Sequence, residues 1–419
     1  MIDHVIEKHW EKLPSSWKQY FDSLRSPQEY AVLFEAASTS VPPLGLLSLK
    51  SAVKRESIPR TPRLAEAVKL GNKLRVKIKQ KKEHEITRII ALCEEVLLEA
   101  PMDEIVDLGA GLGHLSRILA HYLAEEHPER RILVSTVEGD SKLVESSRAL
   151  DERFGKRVAN DVDWKSPNRE DAFIRCDEQL QQEGDDTSKI LLGLHTCGDF
   201  SPTIIRYFAN NSAARHLVHF GCCYHKLNGG ADKLYAQVYD DQLDKCTEAG
   251  FPMSERYKNM TLSYAARELA CHAQEQFVER IKRERDFSTF EVNCYRAVLE
   301  WIIVDKLGNE AARHQPVKSV KKAADFWEYA QKAVEGDLLQ QINAIIEKDR
   351  AGVEEVVNTE LQRIFSVYCL RLMLAPLVES TILRDRQAFL EEKGIQATLE
   401  AIFEPTLSPR NIALLASRG

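Results

Sequence analysis

The chain has 419 residues, 44% hydrophobic and 29% charged, enough for two or three domains with a sizeable core. Its unbroken apolar runs are only a few residues long, which argues against an uninterrupted membrane span of about 20 residues, and the opening MIDHVIEKHW lacks an apolar signal core. A net charge of -7 disfavours bulk electrostatic holding of nucleic acid, and nine scattered cysteines do not form a disulfide framework, so the expected setting is the cytoplasm or nucleus.

Residues 1–84 read as a helical region with a basic arm. Trp10, Leu13, Trp17, Tyr20, Phe21 and Leu24 recur at helical spacing, with Pro14 and Pro27 as interruptions. Between Lys50 and Lys82 stand twelve basic residues and two acids, Glu56 and Glu66. The stretch is thus near +10, leaving about -17 for the remainder. It reads either as a solvated helix face or as an arm steering a polyanion. A helix over 83–99 follows, with Ile86, Ile89, Ile90, Cys93 and Leu97 as its buried stripe.

Residues 85–230 read as the first part of an α/β domain. Glu104–Leu108 is a strand, GAGLG a glycine loop, and His114–Leu123 opens a helix. Strands are expected at Arg131–Val137, Arg157–Ala159, Lys189–His195 and His216–Cys222, with a helix over Ser141–Phe154 and a polar excursion over 163–188. The near-continuous apolar runs KILLGLH and HLVHFGC suit parallel strands covered on both faces. Residues 231–365 read as a helical cap inserted into this domain, a candidate surface for a partner protein. Residues 366–419 resume the domain with a helix at Glu379–Lys393 and strands at Gln396–Phe403 and Asn411–Ser417. Those two strands are expected on the sheet edge beside the strand ending at Cys222.

The segment IVDLGAGLGH sets Asp107, Gly109, Gly111 and Gly113 in a D-x-G-x-G-x-G pattern at a strand-to-helix turn. A ligand can lie on such a backbone without meeting a Cβ, and the helix opening at His114 directs its positive end towards it. No Gly-Lys-Ser/Thr follows, which excludes a Walker A cradle. Asp107 stands where a carboxylate could accept from the ammonium of a bound amino-acid moiety, which fits S-adenosylmethionine better than a dinucleotide. Glu138, ending the second strand, could take both ribose hydroxyls. Asp161 is a candidate contact for the adenine amine. The cofactor residues are therefore Asp107, Gly109, Gly111, Gly113, His114, Glu138 and Asp161.

The two later strands end in HTCGDFSP and CCYHKL, on the same rim as the glycine loop. Three readings compete. In the first, His195, Asp199, Tyr224 and His225 are catalytic: an acceptor is oriented or deprotonated by His195, Asp199 or His225 and stacked by Tyr224, with Cys197, Cys222 and Cys223 lining the pocket. The second is tetrahedral zinc on His195, Cys197, Cys222 or Cys223, and His225. Its spacing is unlike the usual C-x2-C knuckles, so no metal ligand is assigned. The third is plain packing of buried thiols. The Asn-Pro-Pro-Tyr type motif of amino-group methyltransferases is absent, HTCGD standing in its place.

With KKEHEI, VDLGAGLGHLSR, GLHTCGDFSPT, FGCCYHKL, GFPMS, ELACHA, CYRAVLE, LAPLVESTILRDRQAFLEEKG and FEPTLSPRNIALLASR, the chain resembles the methyltransferase-like protein 25 family, in the branch also named ribosomal RNA adenine dimethylase domain-containing protein. The HTCGD and CCYHKL pair also resembles a tRNA 2'-O-methylating family. The resemblance implies a Rossmann-like, seven-stranded class I methyltransferase sheet using S-adenosylmethionine, with the glycine loop and Glu138 at the cofactor. The expected acceptor is RNA, ribosomal or transfer. A ribosomal or translation-associated protein is the alternative acceptor, and a non-catalytic binding module on this fold is the alternative of another class.

Overall fold

Seven strands make one sheet in the order β3-β2-β1-β4-β5-β7-β6: β1 (Glu104–Leu108), β2 (Leu133–Glu138), β3 (Asn168–Asp171), β4 (Lys189–Thr196), β5 (Ala214–Gly221), β6 (Gln396–Ala401) and β7 (Ile412–Ser417). The first five are parallel, and β7 runs antiparallel against both β5 and β6. The computed structural model describes residues 1–35, 41–63, 67–75, 78–159, 163–174, 187–227 and 250–418.

The continuous apolar runs divide as period-2 strands require. Ile105, Ile190, Leu192, Val218 and Phe220 bury one face, packed with Ile86, Ile89, Ile90, Cys93 and Leu97 of the helix Gln80–Glu99. Val106, Leu191 and Leu217 bury the other, against Ile204, Ile205 and Phe208 of the helix Phe200–Asn210. The buried stripe expected between 83 and 99 is thus the layer beneath the sheet. The two C-terminal strands lie on the edge beside β5, as expected of terminal strands that must find a sheet.

The third strand lies elsewhere than Arg157–Ala159. The helix Ser141–Val158 continues through that segment because Phe154 and Val158, four residues apart, are both buried in the core. The strand is Asn168–Asp171, inside the stretch read as a surface excursion, and only Arg169 of its four residues is buried. Asp161, placed after the misread strand, lies outside the described residues, as does Lys77 of the basic arm.

The chain divides into two compact units, with boundaries different from those expected. Residues 1–55 join 277–374 in one; residues 56–276 and 375–419 make the sheet unit. The region 1–84 is therefore split, and so is the insertion 231–365. In the first unit Tyr30 stacks on Phe21 at 5.8 Å and meets Phe365 edge-on at 4.9 Å, its hydroxyl 2.7 Å from Ser366. In the sheet unit the segment after residue 56 is tied down by Ile58 N donating to Ser380 and by Arg60 bridging Glu275 and Glu379. The helical run Arg350–Glu392 is long and apolar enough to cross a membrane by composition, but 61% of its most apolar window is buried inside the protein, as in core helices.

Candidate active site

The glycine loop rests on buried charge. Asp151, 3% exposed, accepts from Arg117 Nε at 2.6 Å and from Arg169 Nε and Nη2 at 2.8 and 2.9 Å. Arg169 donates onward to Ser116 Oγ at 2.8 Å, and Arg117 to the Leu112 carbonyl at 3.1 Å. The two guanidiniums hold the end of the loop where it enters the helix. Arg169 also explains Gly113: φ is +65°, and a Cβ there would sit 2.1 Å from Arg169 Nη1. At Gly111, φ +56°, a Cβ would meet nothing within 4 Å, so this face of the loop is open.

Glu138 reaches the loop from the tip of β2. One carboxylate oxygen accepts from Gly111 N at 2.8 Å and the other from Asp140 N at 3.0 Å. It is half-buried, leaving lone pairs for a polyol beside the loop. Phe173, 61% exposed, lies against Gly139. Sequence reasoning missed it because the strand preceding it had been misplaced.

Asp107 differs from its expected role. It is 3% exposed beneath the loop, and burial pushes its carboxyl up to about 6 against the pull of Arg169, Lys82 and a bond with Ser116. A side chain so enclosed supports the loop rather than meeting an ammonium itself. His114, at the mouth of the helix His114–Glu126, is half-buried, and burial with the charges of Lys82, Arg117 and Arg169 lowers it to about 4. It is therefore neutral at neutral pH.

Across the rim, β4 carries a bulge. Leu194 pairs with Phe220 and Thr196 with Gly221, leaving His195 as the extra residue, at φ +58°. The bulge turns its Nε2 onto Glu85 Oε1 at 3.0 Å. Glu85 is 2% exposed and also accepts from Ser408 Oγ at 2.7 Å, with Lys81 Nζ at 3.6 Å. Burial works to raise its carboxyl, but His195, Ser408 and Lys81 together hold it below the ordinary value. Glu85 and Ser408 were not singled out individually, although KKEHEI and FEPTLSPR contain them. Only the fold brings residues 85, 195 and 408 together.

Cys197, Cys222 and Cys223 converge. Their sulfurs lie 3.0 Å (197–222), 3.2 Å (197–223) and 3.5 Å (222–223) apart. Cys197 is exposed and its partners half-buried. Hydrogen bonding from Cys222 outweighs burial and lowers Cys197 to about 6, while the same bond and burial push Cys222 up. Asp199 is half-buried one residue before Phe200, whose ring lies 2.8 Å from where a Gly109 Cβ would stand. The helix that follows the HTCGD turn thereby packs its first residue against the glycine loop.

Tyr224 does not face an acceptor. It is 2% exposed, its hydroxyl donates to Glu379 at 3.0 Å and the Gly221 carbonyl at 3.3 Å, and Arg386 lies 5.5 Å over its ring. It is a buried anchor for the turn after β5, so the stacking role is withdrawn. His225 is half-buried, with Nδ1 3.4 Å from Cys271 Sγ and Tyr264 edge-on at 6.2 Å. Burial and nearby cations lower its pKa. Neither His195 nor His225 shares the sulfur triangle, so the mixed His/Cys zinc set is replaced by sulfur alone.

The basic arm is partly neutralised. Arg60 pairs with Glu275 and Glu379, Arg63 with Glu95 and Glu400, and Arg75 with Glu83. Lys79 and Lys81 remain exposed at the start of the helix Gln80–Glu99, and Lys82 acts on both Asp107 and His114. A separate open cleft of about 470 Å³ lies at the opposite end of the strands, lined by Leu98, Met102, Arg130 and Arg131 among others, away from every group above.

Residues 81–230 match the family model described as a methyltransferase domain. The chain is 31% identical over 252 residues to the human protein named probable methyltransferase-like protein 25, covering 58% of this chain and 40% of that one. The mouse protein of the same name is 30% identical over 253 residues with the same coverage. The chain thus spans about two fifths of the length of these curated relatives. Among solved structures, magnesium protoporphyrin IX methyltransferase from Synechocystis PCC 6803 with bound SAM aligns at 18% identity and a TM-score of 0.24, over 37% of this chain and 65% of that one. The open Gly111 face, the left-handed loop and the Glu138 carboxylate fit the S-adenosylmethionine that such a domain implies. Residues 81–230 thus match a methyltransferase domain, and the chain is similar to methyltransferase-like protein 25 over 252 residues.

Proposed function

We propose that this chain is an S-adenosylmethionine-dependent methyltransferase whose acceptor is RNA, ribosomal or transfer. The observation that carries the first part is the Glu138 to Gly111 contact at 2.8 Å, which puts a ribose-type carboxylate beside an open, left-handed glycine loop. When bound, the cofactor supplies a methyl group on a sulfonium for in-line transfer. The chain's own contribution is positioning and exclusion of water. Glu85 holds the His195 proton on Nε2 and leaves Nδ1 as an acceptor for a proton from the nucleophile. Asp199 is the second polar group on that turn, and His225 stands on the facing one.

The RNA part rests on the exposed Lys79 and Lys81 beside Lys82, a cationic turn next to the loop, together with the resemblance of HTCGD and CCYHKL to a tRNA-methylating family. Arg60, Arg63 and Arg75 already pair with carboxylates, so the exposed lysines of this turn are the arm's cations best placed beside the loop to meet phosphate. Neutralising Lys79 and Lys81 is expected to reduce the slope of log K against log salt by about 1–2.

The direct test is transfer of tritiated methyl from S-adenosylmethionine into lysate from cells lacking the protein, with Gly111→Arg as the blank. Label removed by nuclease is the expected result. Label removed only by protease would move the acceptor to a protein. Absence of cofactor binding by the unaltered chain would overturn the enzymatic reading and favour a binding module.

A further inference from the structure

The sulfur triangle at the ends of β4 and β5 takes no part in the Glu138 to Gly111 contact or the Glu85 to His195 pair. Three thiols from three backbone positions, all within 3.5 Å of one another, have no ordinary packing reason to meet. A disulfide could join two of them but would leave the third against it. A single tetrahedral cation with metal–sulfur bonds of about 2.3 Å instead sets its thiolates about 3.8 Å apart, an opening of under an ångström from the present triangle.

The surroundings are arranged for an anionic cluster. Arg386, 1% exposed, lies in contact distance of Gly221, immediately before Cys222, and its Nε and Nη1 have no hydrogen-bond partner among the described residues. A buried guanidinium with two unmet donors is costly unless a negative charge faces it. Lys226 stands on the other side: its Cβ lies 2.9 Å from where a Cβ of Gly198 would be, and Gly198 directly follows Cys197. Three thiolates and one divalent cation carry a net charge of about -1, which either of these two cations alone would offset.

We propose that Cys197, Cys222 and Cys223 form a three-sulfur zinc site whose fourth position, on the side of the exposed Cys197, is taken by an exogenous ligand. Zinc entry displaces the thiol protons to solvent and clamps the HTCGD turn to the CCYH turn. The clamp fixes the bulge that holds His195. The site stands on its own geometry and does not depend on the chain transferring methyl groups.

The test uses the full chain, expressed without a metal-binding tag in zinc-supplemented medium and purified under reducing conditions, with metal content measured by mass spectrometry. About one zinc per chain is expected, falling to under a tenth in Cys197→Ser/Cys222→Ser, with Cys271→Ser as a neighbouring control that keeps its zinc. Circular dichroism of each variant establishes that it is folded. Cobalt exchanged into the unaltered protein should give thiolate-to-metal charge-transfer absorption that is absent from the folded double variant. If that variant does not fold, the single variants and the count of thiols freed by chelation from the unaltered protein decide: three thiols released per metal supports the site. Zinc retained in the folded double variant would overturn the assignment, as would a zinc-free protein with three freely titrating thiols. A metal other than zinc, or a Cys197–Cys222 disulfide without metal, would equally overturn it.

Discussion

The two halves of the strand-end rim solve the same problem with different materials. Under the glycine loop, one buried carboxylate, Asp151, is shared by two guanidiniums, and the donors that leave it land on Ser116 Oγ and the Leu112 and Gly113 carbonyls. Across the rim, Arg386 is as deeply buried, but its Nε and Nη1 have no hydrogen-bond partner among the described residues, with Gly221 and the Cys222 thiol as neighbours. The first half is complete in the protein alone. In the second, negative charge gathered on the thiols would add to that of Asp385 and Asp199 around the guanidinium. A turn finished by the chain itself can serve as a fixed platform, whereas one finished by a ligand depends on what is bound.

That difference is sharpest for Asp151. Replacing it by Asn leaves Arg117 and Arg169 buried with half their acceptor removed, and loss of one partner from such a group costs about 3–5 kcal/mol. Asp151→Asn is expected to fall in that range by urea denaturation, with the glycine loop destabilised along with the fold. A cost below about 1 kcal/mol would mean the triad is a surface-like arrangement and the comparison fails.

Asp107 gives a smaller effect whose pH dependence fixes its origin. Burial raises its folded pKa to about 6 from an ordinary 3.8. The folded state therefore holds this proton more tightly than the unfolded chain does. The associated stability is fully present below about 3.8 and is lost as pH rises through about 6. Asp107→Asn cannot ionise, so it should gain on the unaltered protein as pH rises, by about 3 kcal/mol above pH 7, and lose that gain near pH 3.5. Equal differences at both pH values would show that the change comes from packing. His114, lowered to about 4 by burial, has the opposite sign: its contribution is present above its unfolded value near 6.5 and lost as pH falls towards 4. Comparing the variant with its parent at each pH cancels that background.

The sequence was legible where one local rule decided the outcome. Near-continuous apolar runs placed β4 and β5 as strands covered on both faces, and the glycine pattern placed the loop. It was illegible where distant segments decide. The polar strand Asn168–Asp171 carries no strand signal, because its stability comes from pairing with β2 and from Arg169 reaching Asp151. Tyr224 looked like an acceptor platform from its motif, but Glu379, 155 residues later, draws its hydroxyl into the core. Glu85 and Ser408 meet at His195 only after residues 85, 195 and 408 have been brought to one rim. The division between units likewise follows tertiary packing: Pro59 and Pro62 mark a looser connection, but not that residues 1–55 join 277–374.

His195 supplies the smallest effect and the cleanest separation of backbone from side chain. Its φ of +58° is forced by the β4 bulge, and a non-glycine residue held there costs about 1–2 kcal/mol relative to glycine. His195→Ala and His195→Gly lose the same bond to Glu85, so the imidazole's contribution cancels between them. His195→Gly should then be the more stable of the pair by about 1 kcal/mol, even though glycine in an ordinary strand interior is the less stable by a similar amount. Thermal or urea unfolding of the two variants reads the sign directly. If alanine is the more stable, the backbone at 195 relaxes into ordinary extended geometry once the imidazole is gone. Glu85 would then be pulling the bulge into place, and the bulge would not be presenting His195 to Glu85.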